Sequence, residues 1–346
     1  MENKKKSNLL ISFIFFVLLI ALTFKILLGD ENVFHIFKIL KSVKIQFVVI
    51  GIFSMFLYLV LEAVNMGRTL KKLGESSTFF RNIKYSFIGF FFSSITPAAS
   101  GGQPMQIYYM YRDKISVANS TLALLINLSS MQVITISFAL ISLLFNYQYL
   151  NAVLIICFIV GILLNSSALA LLIIGIFSKK LSAGLIGFAL KVLKFFRVKN
   201  LDDKKEKFEK ELEKYQSSAL YIKENKKMII KILFTTLIQF TIYYSITYWV
   251  YRALDFNKYN IIQIITMQSV LFATVSGIPS PGAVGVSEGA FTEIFRNVYP
   301  KNIMSSAVLL NRGINFYLYV LICAIVTIIN HFVKRTPKNF TKGEVV

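Results

Sequence analysis

Six long apolar runs, at residues 9–28, 45–61, 121–145, 152–177, 229–250 and 305–332, set the terms on which this chain folds. A helix needs about 20 mostly apolar residues to cross the ~30 Å hydrocarbon core of a bilayer. Backbone in lipid must also satisfy its own N–H and C=O groups, which a helix does internally. The 346 residues are 55% hydrophobic and only 16% charged, too apolar and charge-poor for an ordinary water-soluble domain. The expected fold is all-α, a polytopic integral membrane bundle with these six runs as full spans.

The formal net charge of +21 would suit a nucleic-acid partner, but the basic residues collect between the apolar runs. Lys4 to Lys6 form one group, and Arg68, Lys71, Lys72, Arg81 and Lys84 a second. The connection 179–231 and the tail with Lys334, Arg335, Lys338 and Lys342 complete the set. This is the positive-inside bias of membrane proteins. It places all four groups, and both termini, on the cytoplasmic side of a bacterial plasma membrane, with phospholipids rather than nucleic acid as partners. Each basic residue near an anionic surface contributes about 1 kcal/mol to headgroup attraction. The start resembles a signal peptide, yet no small-x-small cleavage site follows 9–28, so an uncleaved first helix is expected there.

Two further apolar stretches carry the residues that break helices. Stretch 85–111 is split by Thr96-Pro97-Ala98-Ala99-Ser100-Gly101-Gly102-Gln103-Pro104, and stretch 261–296 by Ser276-Gly277-Ile278-Pro279-Ser280-Pro281-Gly282-Ala283-Val284-Gly285. Proline lacks the N–H and clashes inside a helix, so each reads as two half-helices around an irregular turn. With the basic loops cytoplasmic, the first is a re-entrant hairpin from the inside and the second from the outside. Each lies between two spans, the signature of an inverted repeat with a substrate site near the midplane. The alternative is eight ordinary kinked spans. The chain then divides into a first membrane half (1–178), a basic amphipathic cytoplasmic linker (179–228) and a second membrane half (229–346). Phe208, Leu212, Tyr215, Ala219 and Ile222 recur at helical spacing in the linker, as in a helix packed under the bundle.

Irregular backbone at membrane depth needs a protein interior or a watery cavity around it, so the two turns should face each other inside the bundle. Their half-helix N-termini would offer N–H groups to an anion; alternatively, the glycines only permit tight helix packing. Ionisable residues near or in the spans are Glu62, Arg112, Asp113, Glu288, Glu293, Arg296 and Arg312, and such groups usually pair internally or contact substrate. Glu288 and Arg312 fit either an ion pair that holds the second hairpin to the last span or direct contact with a lipid headgroup. Arg112 and Asp113 read as a solvated pair, and Asn127, Ser129, Ser130, Gln132 and Thr135 as an inter-helix hydrogen-bonding face. Cys157 and Cys323 lie far apart in apolar spans, and His35 and His331 stand alone. No Walker loop or GxGxxG turn is present. No catalytic group, metal site or cofactor is expected.

The two turns, with the second extended through Val286-Ser287-Glu288-Gly289-Ala290-Phe291, resemble the signature turns in the membrane region of lysylphosphatidylglycerol synthase/flippase proteins. Arg312, within Leu310-Asn311-Arg312-Gly313-Ile314-Asn315, is similar to an arginine of that family's last region. The resemblance implies a flippase for anionic or aminoacylated phospholipid, linked to surface charge and resistance to cationic peptides. It implies substrate contact at Pro97, Gly101, Gly102, Pro104, Pro281, Gly282, Gly285, Glu288 and Arg312. The soluble lysyltransferase region of the full-length family would follow the last span, where this sequence ends at Val346, so lipid translocation carries over rather than synthesis. The alternatives are a phosphatidylglycerol lysyltransferase-type membrane enzyme and a membrane anchor for a separate synthase or glycosyltransferase.

Overall fold

A computed structural model describes residues 33–146, 152–195, 204–276, 278 and 280–332. The expected first span, the basic groups at both ends, Gly277 and Pro279 lie outside these residues. Among the described residues five helical stretches are long and apolar enough to cross a membrane: Ile45–Lys72, Val117–Phe145, Leu154–Phe177, Lys226–Ala253 and Lys301–His331. They coincide with the other five apolar runs of the sequence, and no strand accompanies them.

After a short α1 (Val33–Lys41), the bundle is organised on the antiparallel pair α2 (Ile45–Lys72) and α9 (Lys226–Ala253). At one end the Lys44 N–H donates to the Ala253 carbonyl at 2.9 Å. In the middle Gln239 Nε2 donates to the Tyr58 carbonyl at 3.1 Å, and nearer the other end Asn65 Nδ2 donates to Thr236 Oγ1 at 2.9 Å. Helix α5 (Val117–Asn146) packs on the pair, and α6 (Ala152–Phe177) packs on α5. Ser130 and Thr236 hydroxyls meet at 3.0 Å, so part of the polar face of α5 serves inter-helix bonding as its sequence suggests.

Both broken stretches fold back on themselves. In the first, α3 (Phe79–Ile95) and α4 (Gly102–Arg112) lie side by side. At their base Lys84 and Tyr85 both bond the Asp113 carboxylate, and one turn further in, Gln106 Nε2 donates to the Tyr85 carbonyl at 3.2 Å. Near the tip a Cβ on Gly102 would come within 2.0 Å of Ser93 Oγ and 2.8 Å of the Gly89 carbonyl, so this contact requires glycine. In the second, α10 (Ile261–Val275) and α11 (Val286–Ile294) share one apolar cluster, where Leu271 and Val275 pack with Phe291 and Phe295.

Helical rise is about 1.5 Å per residue. The 17, 11, 15 and 9 residues of α3, α4, α10 and α11 are therefore each too short for a ~30 Å crossing. The first hairpin has its base beside the Lys72 end of the α2/α9 pair; the second has its base beside the Ala253 end, where Tyr251, Tyr259 and Tyr299 pack edge to face and the Tyr251 hydroxyl accepts from the Tyr259 N–H. The hairpins thus point towards each other.

The linker forms α7 (Lys179–Phe195) and α8 (Lys204–Glu224). Tyr215, Ala219 and Ile222 are buried against the bundle, and the Tyr215 hydroxyl donates to the Gly175 carbonyl at 2.9 Å. Glu75, just past α2, ties α8 down by accepting from Lys214 Nζ at 3.0 Å, Ser116 Oγ at 2.9 Å and Asn119 Nδ2 at 2.7 Å. Partial burial pushes the Glu75 carboxyl up, but these three donors and the Lys214 charge outweigh it and hold the group below its ordinary value. A carboxyl depressed on folding contributes stability that is present above its unfolded pKa and lost as pH falls through its folded one. Acidification below the usual carboxylate range is expected to raise amide exchange in α8. Glu75→Gln should raise it already at neutral pH and remove the acid response, which exchange mass spectrometry of the reconstituted protein reads directly.

Candidate functional site: two turns around a shared cavity

The first turn is a 3-10 segment, Pro97–Ala99, and the second is another, Pro281–Ala283. Proline opens each, because its fixed φ and missing N–H suit the first helical position. Two left-handed residues follow in both cases: Ala98 and Ala99 at φ 52° and 54°, Gly282 and Ala283 at φ 58° and 51°. Left-handed alanine costs of the order of 1 kcal/mol or more, so packing on both sides has to maintain these turns. They pack on each other, with Cα atoms within 8 Å. The facing of the two turns expected from the sequence is what the chain adopts.

Between them lies a cavity of ≈ 270 Å³. Ala98 and Ala99 line it from the first turn, Ser280, Gly282 and Ala283 from the second. Arg312 and Asn315 face it from the last span, Gln268 from α10, and Tyr58 and Tyr243 from the central pair. Pro97, Gly101, Gly102 and Pro104 stand behind this wall rather than in it. Pro97 starts the turn, Gly101 donates its N–H to Thr96 Oγ1 at 2.9 Å, and Gly102 seats α4 on α3.

The last span is continuous from α12 (Lys301–Arg312) through a π-helical segment, Gly313–Tyr317, into α13 (Leu318–Phe332). A π-segment widens the helix by one residue per turn and so re-aims the side chains around it. Here it turns Arg312, Phe316 and Tyr317 together towards the second turn. The guanidinium lies 4.2 Å from the Phe316 ring centre and 5.7 Å from that of Tyr317. Its Nε donates to Glu288 Oε1 at 2.9 Å, and its Nη2 to the Gly282 carbonyl at 2.9 Å.

Glu288 is committed within the protein. Oε1 also accepts from the Tyr317 hydroxyl at 3.2 Å, and Oε2 accepts from the Gly285 N–H at 2.7 Å. As the third residue of α11 it caps the N-terminus that the sequence suggested would be offered to an anion. Of the two readings open for Glu288 and Arg312, the ion pair is the one that forms, with side chains only 2% and 9% exposed. Gly282 cannot carry a side chain here, since a Cβ would sit 2.1 Å from the Phe316 ring and its φ is left-handed. Gly285 is held at φ 85° where α11 begins, and Pro281 is buried.

What remains for a ligand is the outer edge of the guanidinium. Nη1 of Arg312 has no hydrogen-bond partner among the described residues, and the side chain lines the cavity. Asn315 Oδ1 and Ser280 Oγ are buried there with no hydrogen-bond partner among the described residues. Thr247 Oγ1 lies 2.8 Å from Gln268 Oε1 and 3.1 Å from Asn311 Oδ1, and its single proton serves one of them. The cavity is therefore rich in unspent polar capacity around one cation.

The remaining ionisable residues take other places. Asp113 pairs with Lys84 and with Tyr85 rather than standing solvated beside Arg112, whose guanidinium lies over the Tyr108 and Tyr109 rings. This corrects the solvated pair expected from sequence adjacency, because the fold-back of α4 on α3 delivers a lysine to Asp113. Glu293 and Arg296 form a half-exposed pair at 3.7 Å away from the cavity. Asn311, Asn315, Gln268, Tyr58 and Tyr243 join the site without a sequence motif of their own; for the first three the signal in the sequence is a polar residue inside an apolar run.

Against known protein families, the chain matches the lysylphosphatidylglycerol synthase TM region over residues 9–323. It belongs to that family. The match takes in both turns, the Glu288–Arg312 pair and the central α2/α9 pair, and the chain is a helical membrane protein of the lysylphosphatidylglycerol synthase membrane-region family. None of the curated proteins matches it.

Proposed function

We propose that this member of the lysylphosphatidylglycerol synthase membrane-region family moves an anionic or aminoacylated phospholipid between the leaflets of a bacterial plasma membrane. The observation that carries this reading is the meeting of two helix-breaking turns around a cavity onto which Arg312 turns an uncommitted Nη1. A phosphate accepts from a guanidinium edge through charge-assisted bonds, which are about twice as strong as neutral ones. The cavity takes a headgroup while acyl chains stay in lipid, as a crossing headgroup requires. Glu288 acts on the headgroup through Arg312, whose orientation it holds. Tyr58 and Tyr243, packed against each other at 4.8 Å, add an aromatic wall to the same cavity.

In this reading the hairpins are re-entrant from opposite leaflets, and the two membrane halves form an inverted repeat with its site at the midplane. The shared Pro-x-Ala turns with paired left-handed residues and the opposed hairpin bases support that symmetry. Both termini are then cytoplasmic, in keeping with the basic loops.

A blocking experiment tests the site. Ser280→Cys, in a background with Cys157 and Cys323 replaced, leaves the cavity open until a bulky thiol reagent is added. Leaflet exchange of a fluorescent phosphatidylglycerol in reconstituted vesicles is expected to fall to the protein-free rate on labelling, and to stay at the parental rate without it. Unchanged exchange after complete labelling removes the cavity from the path.

A further inference from the structure

Glu62 differs from the other acids that are packed between elements of the bundle. Asp113 has Lys84, Glu75 has Lys214 and Glu288 has Arg312, but no Lys, Arg or His pairs with Glu62 among the described residues. It lies on the 28-residue α2 just past the apolar run 45–61, six residues before Arg68 and ten from the Lys72 end. Its two hydrogen-bond partners come from opposite arms of the first hairpin: Ser86 of α3 at 2.7 Å from Oε2, and Gln106 Nε2 of α4 at 3.4 Å from Oε1. Gln106 is let in by Gly89, where a Cβ would lie 2.3 Å from its Nε2.

The decisive contact is at Ser86. Its Oγ is 2.9 Å from the Leu59 carbonyl as well as 2.7 Å from Glu62 Oε2. A hydroxyl has one proton, and a carbonyl only accepts. When Ser86 donates to Leu59, the 2.7 Å contact needs a proton on the carboxyl. When the carboxyl is ionised, Ser86 has to turn its proton to Glu62 and abandon Leu59. An unpaired carboxylate packed among these helices is costly, which favours the first arrangement.

The surroundings supply no compensating charge. On α2 itself, Tyr58 is one turn away, and Arg68 donates to Asn65 Oδ1, the Lys231 carbonyl and Thr235. From α9 the titratable neighbours are Tyr243 and Tyr244, and from α13 Tyr319 and Cys323, none of which brings a positive charge. From the first hairpin Lys84, Tyr85 and Asp113 bond one another at its base, and from the last span Arg312 is engaged with Glu288. The π-segment that also packs on α2 brings Tyr317, whose hydroxyl donates to Glu288, and helix α5 carries no ionisable residue.

We infer that Glu62 is a proton-binding site that holds the first hairpin in the arrangement seen here and releases its proton as the hairpin moves, so that lipid movement is coupled to a proton gradient. This rests on the lipid-moving reading above. The O–H bond of the carboxyl breaks, the electron pair stays on Oε2, the proton passes to water on the side then open, and Ser86 reorients to donate to the new carboxylate. Rebinding from the other side reverses each step.

The test has two arms. Infrared spectra of the protein in lipid at neutral pH are expected to show a protonated-carboxyl band that is absent in Glu62→Gln, a variant that keeps a hydrogen-bonding group of the same shape. In vesicles with fluorescent phosphatidylglycerol and an entrapped pH dye, an imposed pH gradient should speed wild-type lipid movement and be partly dissipated by it. Glu62→Gln should lose both responses. Absence of the band, or lipid movement that ignores the pH gradient or follows a sodium gradient instead, overturns the inference while leaving the lipid-moving reading intact. A chain that moves no lipid under any gradient overturns that reading and the coupling together, and the band then still reports whether Glu62 holds a proton.

Discussion

Arg312→Met is expected to destabilise the folded protein by about 3–5 kcal/mol, the usual consequence of removing one partner of a buried ion pair. The substitution leaves the Glu288 carboxylate, 2% exposed, with only the Gly285 N–H and the Tyr317 hydroxyl as donors. It also strips the Gly282 carbonyl of its 2.9 Å bond from Nη2, in a turn whose left-handed residues depend on packing. The double variant Glu288→Gln with Arg312→Met removes both charges, so its loss of stability should be far smaller than the sum of the two single losses, as expected for directly coupled residues. Unfolding titrations in mixed micelles measure all three variants. Lipid movement separates stability from function: the stabilised double variant should still fail to move phosphatidylglycerol, because the guanidinium is gone. Additive losses of stability would show that the pair does not hold the second hairpin to the last span, whereas normal transport by the double variant would show that Arg312 does not touch the headgroup.

The parts of this architecture that depend on local chemistry were legible from the chain alone. Apolar length picks out the five described candidate spans, and Pro97 and Pro281 with their neighbouring glycines and alanines mark where two helices stop inside the bundle. Helical spacing of Tyr215, Ala219 and Ile222 finds the buried face of the linker. What escaped depends on partners distant in sequence. Asp113 stands beside Arg112 in the chain yet bonds Lys84, 29 residues earlier, because α4 folds back along α3. The choice between ion pair and ligand contact at Glu288 turns on Arg312, 24 residues away and aimed by a π-segment that no propensity announces. Glu62 looked like one of seven costly charges; its distinction is a missing cation, which only the packed bundle reveals.

Gly161→Ala is the second substitution expected to have a large effect, at a position with no turn or charge to draw attention to it. A Cβ there would lie 2.1 Å from the Ala273 carbonyl oxygen and 3.3 Å from Thr274 Cα, so backbone rather than a flexible side chain has to give way. One turn along α6, Asn165 Nδ2 donates to Ser276 Oγ at 2.8 Å, so the same helix grips the start of the second turn. Overpacking of this kind costs typically about 1–3 kcal/mol. Gly184→Ala in α7 is the matched control, because nothing lies within 4 Å of its added Cβ. That change should be neutral or stabilising by up to ~1 kcal/mol through helix propensity. The consequence for function follows from position: α10 pushed away from α6 carries Val275 and Ser276 with it, and both line the cavity. Gly161→Ala should therefore lower lipid movement as well as stability, while Gly184→Ala should change neither downward. Equal stability of the two variants would mean that α6 does not press on α10 in the membrane, and the wall of the cavity on that side would need another support.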